Sequence, residues 1–289
     1  MPDPQDLNQV NDLDSLQALS RWPAADRQRI TGVFTDIDDT LTTDGKITTD
    51  ALAALTALAA AGLTVIAITG RPVGWSEPFA RSWPVDAIVA ENGAVSLQVV
   101  SQKALQTNQN RHGQLLKRYQ QDEFTRLLNY ARMQRVGQRV QHDVPGAVLA
   151  QDSPGRETDI AIDHSEFTNL APDAIAQVVR IMQSEGMNAS VSSIHVNGWF
   201  GAHNKFQGAR WIVRELLGRV LDAELDRWVF VGDSTNDELM FQAFSQSVGV
   251  ANVRRFEAQL ICKPRYITEG ERGAGFAEVA AALLAARLA

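Results

Sequence analysis

The chain has 289 residues, of which 45% are hydrophobic, and it carries a formal net charge of −7 with a pI near 5.3. This length exceeds one average domain and suits a core domain with a second domain inserted into it. The acidic balance argues against a nucleic-acid binder, no run approaches the ~18 apolar residues of a membrane span, and the single cysteine, Cys262, excludes an intrachain disulfide.

The first predicted element is an amino-terminal extension. Residues 1–28 are expected to be partly disordered, with residues 13–19 forming a short helix. The extension begins with acids, asparagine and glutamine rather than with a basic region followed by an apolar stretch, so we expect no secretory signal. The expected location of the protein is therefore the cytoplasm.

The first predicted strand ends in acids. Val33–Thr40 begins as a short apolar run and continues through Asp36, Asp38 and Thr40. A β-rich run bounded by turn residues predicts a buried strand with Asp36 at its end, at the rim where open α/β sheets bind ligands. Crowded carboxylates raise each other's pKa, so the cluster indicates a metal or a function; an ordinary turn or helix cap is the alternative.

The second predicted strand ends in a hydroxyl. A helix with an apolar stripe follows the first strand, and Leu63–Thr69 is the next strand-forming run. The order strand, helix, strand indicates a right-handed parallel crossover. Thr69 closes the strand and is followed by Gly70 and Arg71, and we take these three residues as candidates for binding substrate.

A long insertion comes next, and it mixes helical and strand patterns. Residues 112–136 and 172–183 show the helical spacing of apolar residues, and strands are predicted over 147–152, 158–164 and 189–196. Basic residues of the first helix could bind a second phosphate or a carboxylate of the substrate, although a solvated face is the alternative. These residues are Lys117, Arg118, Arg126, Arg132, Arg135 and Arg139.

Two segments after the insertion also carry polar residues at the ends of elements. Lys205 begins a predicted helix, whose amino end favours anions. Trp228–Asp237 runs from an apolar strand through a glycine into Asp233, Asn236 and Asp237. Acidic residues therefore follow a second predicted strand, which is far in the sequence from the strand that ends at Asp36.

If both acidic strands lie in one parallel sheet, their aspartates converge at its carboxyl edge. An all-oxygen site of this kind suits a hard cation such as Mg²⁺. A carboxylate nucleophile, a metal, a hydroxyl and a lysine are the parts needed for phosphoryl transfer. The predicted metal ligands are Asp36, Asp38, Asp233 and Asp237.

These segments resemble the motifs of the haloacid dehalogenase superfamily of phosphohydrolases, in both order and spacing. The family has an Asp-x-Asp-x-Thr motif, a Thr or Ser at a strand end, a lysine, and a Gly-Asp-x-x-Asn-Asp motif. The matching residues here are, in that order, Asp36, Asp38 and Thr40; Thr69; Lys205; and Gly232, Asp233, Asn236 and Asp237.

The resemblance implies an α/β fold with a doubly wound, mostly parallel, Rossmann-like core sheet. The long gap between Thr69 and Lys205 is similar to that of the type IIB members, which insert an α/β cap domain there. We therefore predict a core domain formed by residues 29–95 and 198–289 and an inserted cap formed by residues 96–197.

The resemblance also implies residue roles. Asp36 would attack phosphorus and form an aspartyl-phosphate, while Asp38 would protonate the leaving alcohol and then deprotonate the hydrolytic water. Thr69 and Lys205 would hold the phosphoryl oxygens. Together with Gly70 and Arg71 they form the predicted substrate-binding set. Mg²⁺ would lie on Asp36, the backbone carbonyl of Asp38 and Asp233, and Asp237 with Asn236 would complete or orient that shell.

One motif departs from the family. The lysine motif usually reads Lys-Gly-x-Ala, whereas this chain has Phe206 directly after Lys205 and a glycine only at Gly208. The rival lysines are Lys46, which reads as a turn residue after an Asp-Gly pair, and Lys263, which follows the last motif. We keep Lys205.

The implied function is a Mg²⁺-dependent phosphatase of a small phosphorylated metabolite, with no nucleic-acid or membrane partner. Type IIB caps serve sucrose-phosphate and mannosyl-3-phosphoglycerate phosphatases, which favours a sugar phosphate. Two alternatives remain: a phosphotransferase similar to the phosphomannomutases, and a non-catalytic phospho-acceptor similar to a receiver domain. A receiver needs no acid such as Asp38 for a leaving alcohol and has no insertion of this length.

Overall fold

The computed structural model describes residues 16–99 and 113–288. Its helices are α1 (Ala24–Arg29), α2 (Thr49–Ala60), α3 (Val73–Ser82), α4 (Glu123–Asp143), α5 (Pro172–Ser184), α6 (Lys205–Leu217), α7 (Glu238–Ala243) and α8 (Arg272–Leu288). Its strands are β1 (Gln17–Ala18), β2 (Gly32–Thr35), β3 (Thr42–Thr43), β4 (Lys46–Ile47), β5 (Thr64–Ile68), β6 (Ala87–Ala90), β7 (Val95–Val99), β8 (Leu115–Tyr119), β9 (Val148–Leu149), β10 (Ile160–Asp163), β11 (Asn188–Val191), β12 (His195–Trp199), β13 (Trp228–Gly232), β14 (Ser247–Gly249) and β15 (Tyr266–Ile267).

The chain divides into two compact units. The first is drawn from Met1–Val65 and Asp222–Ala289, and the second is drawn from Ile66–Leu221. The predicted cap, residues 96–197, falls inside the second unit, and its boundaries with the core segments 29–95 and 198–289 stay a prediction. None of the described helices is long and apolar enough to span a membrane.

The first unit contains a parallel sheet in the order β1-β15-β14-β13-β2. Every residue of β2 and of β13 is buried, as expected for strands covered on both faces. Phe34 of β2 packs on Trp228 of β13 with ring centroids 4.8 Å apart. This apolar pairing fixes the two strands whose ends carry the predicted acids.

The short helix predicted for residues 13–19 is wrong where the structure describes it. Residues 17–18 form β1, and the backbone N–H groups of Leu16 and Gln17 donate to the carbonyls of Pro264 and Arg265, each at 2.9 Å. Sheet pairing to a distant segment overrides the local helical preference. Residues 1–15, which include most of the predicted disorder, lie outside the described residues.

In the second unit, β5 and β6 are parallel, and β6, β7 and β8 follow as an antiparallel meander. The helix predicted from residue 112 is therefore wrong in its first part, because residues 115–119 form β8. Helix α4 begins at Glu123, where the side chain of Asp122 accepts a hydrogen bond from the N–H of Thr125 at 2.9 Å.

The second unit also contains an antiparallel sheet in the order β11-β12-β10-β9. The buried faces of α4 and α5 pack with this sheet in one apolar cluster that includes Met133, Val178, Met182 and Val196. The helix predicted over 172–183 is confirmed as α5. With the parallel sheet, these elements confirm the expected α/β fold with a mostly parallel central sheet.

Candidate functional site

In the first unit, strand pairing fixes the position of Asp36. Its N–H donates to the carbonyl of Val231 in β13 at 2.8 Å, which continues the ladder one residue past the end of β2. The residue is 3% exposed. Asp38 follows on the connecting loop and is half-buried. Of the two predicted acids on this loop, Asp36 is therefore buried and Asp38 is partly accessible.

The loop after β13 is organised by Asp237. One oxygen of its carboxylate, Oδ2, accepts hydrogen bonds from the N–H groups of Asp233 at 2.9 Å and Ser234 at 3.3 Å. A β-carbon at Gly232 would lie 2.4 Å from the same oxygen, so any side chain there would displace the carboxylate. The glycine of this motif is required by the close approach of Asp237.

Three of the predicted metal ligands lie together. Asp36, Asp233 and Asp237 are all buried, and each offers a carboxylate oxygen within 4.8 Å of the others. Across residues 16–99 and 113–288 no other group of acids, histidines or cysteines has this spacing. Burying three carboxylates so close is unfavourable unless a cation offsets their charge, and an all-oxygen set suits Mg²⁺.

The other two predicted members of the metal site stand outside this group of three. The side chain of Asp38 is not part of it, so any contribution of Asp38 to a metal would come through its carbonyl, as the family resemblance implies. The side chain of Asn236 accepts a hydrogen bond from Ser234 Oγ at 2.9 Å and is held within the loop. Both roles stay predictions.

Asn252 is a residue that the sequence motifs missed. Its Nδ2 donates to Asp233 Oδ2 at 3.1 Å and to the carbonyl of Asp39 at 3.0 Å, and its Oδ1 accepts from the N–H of Arg272 at 3.0 Å. Arg272 Nε in turn lies 3.0 Å from Asp39 Oδ1. Asn252 therefore ties the loops after β2 and β13 together. Its place three residues after the end of β14 does not mark it, because an asparagine there also fits an ordinary turn and its partners are distant in the sequence.

In the second unit, Thr69 is fully buried at the end of β5. Its N–H donates to the carbonyl of Val89 at 2.9 Å, its carbonyl accepts from the N–H of Asn92 at 2.9 Å, and its Oγ1 accepts from the N–H of Arg71 at 3.0 Å. The hydroxyl hydrogen of Thr69 stays available for a further acceptor.

The segment that begins at Glu91 forms an unusual turn. Glu91, Asn92 and Gly93 have φ angles of 49°, 54° and 105°, all in the left-handed region. The buried carboxylate of Glu91 accepts from the N–H groups of Val73 at 3.1 Å and Glu157 at 3.0 Å. Burial raises the pKa of Glu91, although these hydrogen bonds oppose the shift. The hydrogen bonds hold the turn to α3 and to the segment before β10.

The same turn supports Lys205. A β-carbon at Gly93 would lie 2.3 Å from the carbonyl oxygen of Asn204, and one at Gly208 would lie 2.6 Å from the α-carbon of Gly93. Asn204 caps α6 by accepting from the N–H of residue 207 at 2.9 Å, and Lys205, 2% exposed, is the first residue of the helix. The glycine that fits this contact is Gly208 rather than a residue next to the lysine.

The departure at Phe206 has a local explanation. The guanidinium of Arg210 lies 4.3 Å from the centroid of the Phe206 ring, so the ring packs along the surface of α6. Among the rival lysines, Lys46 is exposed and is the first residue of β4, so it is not itself a turn residue as predicted. The turn before it is formed by Asp44 and Gly45, whose φ angles are 50° and 71°. Lys263 lies 3.5 Å from a carboxylate of Glu257.

Arg71 is engaged by two acids. Its guanidinium pairs with Glu166 at 2.8 Å and with Asp152 at 3.3 Å, and lies 5.0 Å above the ring of Trp75. His195 Nε2 lies 2.9 Å from Glu166. Burial alone would raise the pKa of Glu166, but the hydrogen bonds from His195 and Arg71 outweigh it and lower the pKa to about 2. A substrate group at Arg71 would compete with these acids.

The carbonyl of Gly70 is held by two donors that the sequence motifs also missed. Arg156 Nη1 donates to it at 3.0 Å and Asn197 Nδ2 at 3.2 Å. Both donors also bind the buried Asp159, at 2.8 Å and 3.0 Å. Burial raises the pKa of Asp159 to about 7, against the opposing charge of Arg156. No spacing in the sequence marks these residues.

One known protein family and several solved structures resemble this chain. A model of the haloacid dehalogenase-like hydrolase family matches residues 33–137. Similar solved structures include a putative HAD/COF-like hydrolase from Plasmodium vivax, with 14% identity, coverage of 91% of this chain and 98% of that one, and a TM-score of 0.62. The sucrose-phosphatase of Synechocystis sp. PCC6803 has 15% identity, coverage of 89% and 98%, and a TM-score of 0.60. The fold is that of the haloacid dehalogenase-like hydrolases.

A sugar phosphatase described as HAD subclass IIB is also similar to this chain, with 15% identity, coverage of 87% of this chain and 96% of that one, and a TM-score of 0.56. A comparison with curated proteins finds no match. The family resemblance stated from the four motifs is confirmed.

Proposed function

We propose that this chain is a Mg²⁺-dependent phosphatase that hydrolyses a small phosphorylated metabolite through an aspartyl-phosphate. The observation that carries the proposal is the buried group of Asp36, Asp233 and Asp237 at the ends of two paired strands. The order of the four sequence motifs and the haloacid dehalogenase-like fold support it. The cytoplasmic location stays a prediction.

In the proposed reaction, Asp36 is the nucleophile. One carboxylate oxygen attacks phosphorus, the bond from phosphorus to the leaving oxygen breaks, and Asp38 gives its proton to the departing alcohol. Asp38 then accepts a proton from a water molecule, which attacks phosphorus and releases phosphate and free Asp36. The half-buried position of Asp38 suits a group that must meet both the alcohol and the water.

The remaining residues position and neutralise charge. A Mg²⁺ ion held by Asp36, the carbonyl of Asp38 and Asp233, with Asp237 and Asn236 around it, would neutralise charge on the phosphoryl oxygens. Asn252 orients Asp233. By their motifs, Thr69 and Lys205 would bind phosphoryl oxygens, and the burial of both side chains suits charge-assisted hydrogen bonds.

We propose a sugar phosphate as the substrate class. Support comes from the similarity to a sucrose-phosphatase and to a sugar phosphatase of subclass IIB. The four-stranded sheet with α4 and α5, which we predict to be the cap, is the part of the chain expected to select the substrate.

The test is phosphate release from a panel of phosphorylated sugars, glycerates and nucleotides, with Mg²⁺ or with EDTA. Wild-type protein should release phosphate only with Mg²⁺. Asp36→Asn should lower release by more than about 10³-fold, because the nucleophile is lost. Asp44→Asn, at an exposed left-handed turn position, is the matched control and should keep the wild-type rate.

Two results would count against the proposal. A folded, Mg²⁺-binding wild type that releases no phosphate would exclude a general phosphatase and favour a phosphomutase, which isomerisation in the presence of a sugar bisphosphate would reveal. Equal rates for wild type and Asp36→Asn would show that Asp36 is not the nucleophile.

A further inference from the structure

The basic residues predicted on one helix separate into two sets in the structure. Lys117 and Arg118 lie in β8 instead, where Lys117 pairs with Glu157 at 2.7 Å and Arg118 donates to Gln98 at 3.0 Å. The guanidinium of Arg126 lies 3.5 Å from the centroid of the Tyr119 ring. The second set consists of Arg132, Arg135 and Arg139, which line one cavity.

This cavity has a volume of about 360 Å³ and is formed within the second unit. Its lining consists of Arg132, Arg135, Val136, Arg139, Glu185 and Phe200. The volume falls at the lower end of the range of small-molecule sites. Three guanidinium groups face one carboxylate, so the cavity is positive although the whole chain carries a net charge of −7.

The three arginines differ in their partners. Arg139 is neutralised, because it pairs with Asp143 at 3.2 Å and with Glu185. Within the described part of the chain, Arg132 and Arg135 have no ion-pair partner. The guanidinium of Arg132 lies 3.7 Å from the centroid of the Phe200 ring. Two positive groups are therefore available to an anion.

The floor of the cavity is rigidly held. Phe200 is 6% exposed and belongs to the apolar cluster between α4, α5 and the four-stranded sheet. Its carbonyl accepts from Gln121 Nε2 at 3.0 Å, and the carbonyl of the next residue, Gly201, accepts from Asn188 Nδ2 at 2.6 Å. This packing and these hydrogen bonds hold Phe200, whose ring is the platform on which the Arg132 guanidinium lies.

We propose that this cavity, lined by Arg132, Arg135, Arg139, Glu185 and Phe200, is a binding site for a small organic anion that carries two or more phosphate or carboxylate groups. Guanidinium groups bind both kinds of oxyanion with paired hydrogen bonds. A ligand with a single charge would engage one arginine, whereas a multiply charged ligand engages Arg132 and Arg135 together. None of the residues that line the cavity has a role in the proposed phosphatase reaction, so the proposal does not depend on that function.

The test is titration calorimetry on the full chain in metal-free buffer, cleared of metal ions with a chelating resin, at about 0.15 M ionic strength, where loose surface attraction is screened. Pyrophosphate and citrate are the multivalent probes and acetate is the singly charged comparison. We expect saturable binding of pyrophosphate or citrate at one site and none of acetate. The stronger of the two probes distinguishes a phosphate ligand from a polycarboxylate ligand.

Variants assign the binding to the cavity. Arg135→Gln, at an exposed position, should weaken binding about tenfold by removing a charged hydrogen-bond donor. Glu185→Gln should strengthen binding severalfold, because it releases Arg139 from its pair. Arg180→Gln, an exposed arginine of α5 outside the lining, is the matched control and should bind as the wild type does.

Three outcomes would overturn the proposal. The first is that neither multivalent probe binds the wild type. The second is that Arg180→Gln weakens binding as much as Arg135→Gln, which would indicate a diffuse surface effect. The third is that Lys205→Ala abolishes binding, which would place the anion at the predicted phosphate-binding residues. Retention of binding in Lys205→Ala together with loss in Arg135→Gln supports the cavity.

Discussion

At the scale of single residues, the carboxylate of Asp237 serves two purposes. One oxygen organises the loop after β13 by accepting two backbone hydrogen bonds, and the residue also belongs to the group of three buried acids. Loop geometry and the proposed metal site therefore depend on the same side chain. The space for it is left by Gly232.

The first prediction concerns that space. Gly232→Ala should weaken Mg²⁺ binding and destabilise the fold by about 1–3 kcal/mol, because its β-carbon would lie 2.4 Å from Asp237 Oδ2. Thermal unfolding with Mg²⁺ and with EDTA measures both effects. Gly137→Ala is the control, since its β-carbon would make ordinary contacts of 3.4 and 3.6 Å. An unchanged Mg²⁺ response in Gly232→Ala would contradict the prediction.

The acids Asp36, Asp233 and Asp237 could be predicted from the sequence because each follows an apolar strand run within a few residues. Asn252 and Arg156 could not. Their importance comes from partners such as Asp233 and Gly70, which lie 19 and 86 positions away in the chain. Local patterns contain no information on such contacts, since only the folded sheet brings the partners together.

At the scale of elements, the loop after β5 is fixed by the four-stranded sheet of the second unit. Arg156, in the segment before β10, and Asn197, in β12, hold the carbonyl of Gly70. Gly70 lies next to Thr69, the predicted phosphate-binding residue. The orientation of that peptide group therefore depends on residues far along the chain.

The second prediction tests this support. If the proposed phosphatase function holds, Asn197→Ala should lower kcat/KM for phosphate release about tenfold, since a hydrogen bond to a buried carbonyl is lost. Asn188→Ala is the control, because Asn188 also donates to a backbone carbonyl, that of Gly201, but at an exposed site. The same loss in both variants would indicate a general effect on the sheet.

The third prediction concerns acid stability. Glu166 has its pKa lowered to about 2 from 4.5, so its ionised form stabilises the fold above pH 4.5, and this stabilisation is lost as the pH falls toward 2. Because solvent screens this half-buried carboxylate, we expect a contribution of about 1–2 kcal/mol at pH 6, roughly half of which is lost at pH 3. Urea unfolding at pH 6 and pH 3 should show a smaller difference for Glu166→Gln than for the wild type.

Arg71→Met gives a second check on the same pair. Removing the guanidinium removes a cause of the low pKa of Glu166, so the stability difference between pH 6 and pH 3 should also shrink in this variant. If both variants keep the wild-type difference, the ion pair does not set the acid stability of the second unit.

The element boundaries show where sequence patterns mislead. Leu115, Leu116 and Tyr119 fit the spacing of a helix, and this pattern predicts one helix that also contains residues 123–136. In the structure they belong to β8, which pairs with β7. The helical spacing of a few apolar residues is also compatible with a strand, and the pairing partner decides the outcome. The capping aspartate, Asp122, was the signal for the true start of α4.

At the scale of the whole molecule, the fold class and the family resemblance could be predicted because four short motifs keep their order over 205 positions, from Val33 to Asp237. The substrate could not be predicted in the same way. Under the proposed function, selection would depend on side chains that several elements of the predicted cap bring together, and such side chains have no fixed spacing in the chain.

The fourth prediction links metal binding to the stability of the whole chain. Mg²⁺ at about 100 times its dissociation constant should raise the free energy of unfolding by about 2.7 kcal/mol, because the group of three acids forms only in the folded state. Urea unfolding with Mg²⁺, and with KCl of equal ionic strength as a control, measures the gain. Asp36→Asn should reduce it, and an undiminished gain would show that Mg²⁺ binds elsewhere.

The pairing of β1 with β15 changes where the folded core begins. A boundary at residue 29, as the sequence suggested, would remove β1 and also Trp22, whose ring stacks on Tyr266 of β15 at 5.6 Å. Loss of this segment would leave β15 with unpaired backbone groups along one side, a template on which strands of other molecules can add. A shortened protein that begins there should therefore aggregate during expression, whereas one that begins at residue 16 keeps the edge covered.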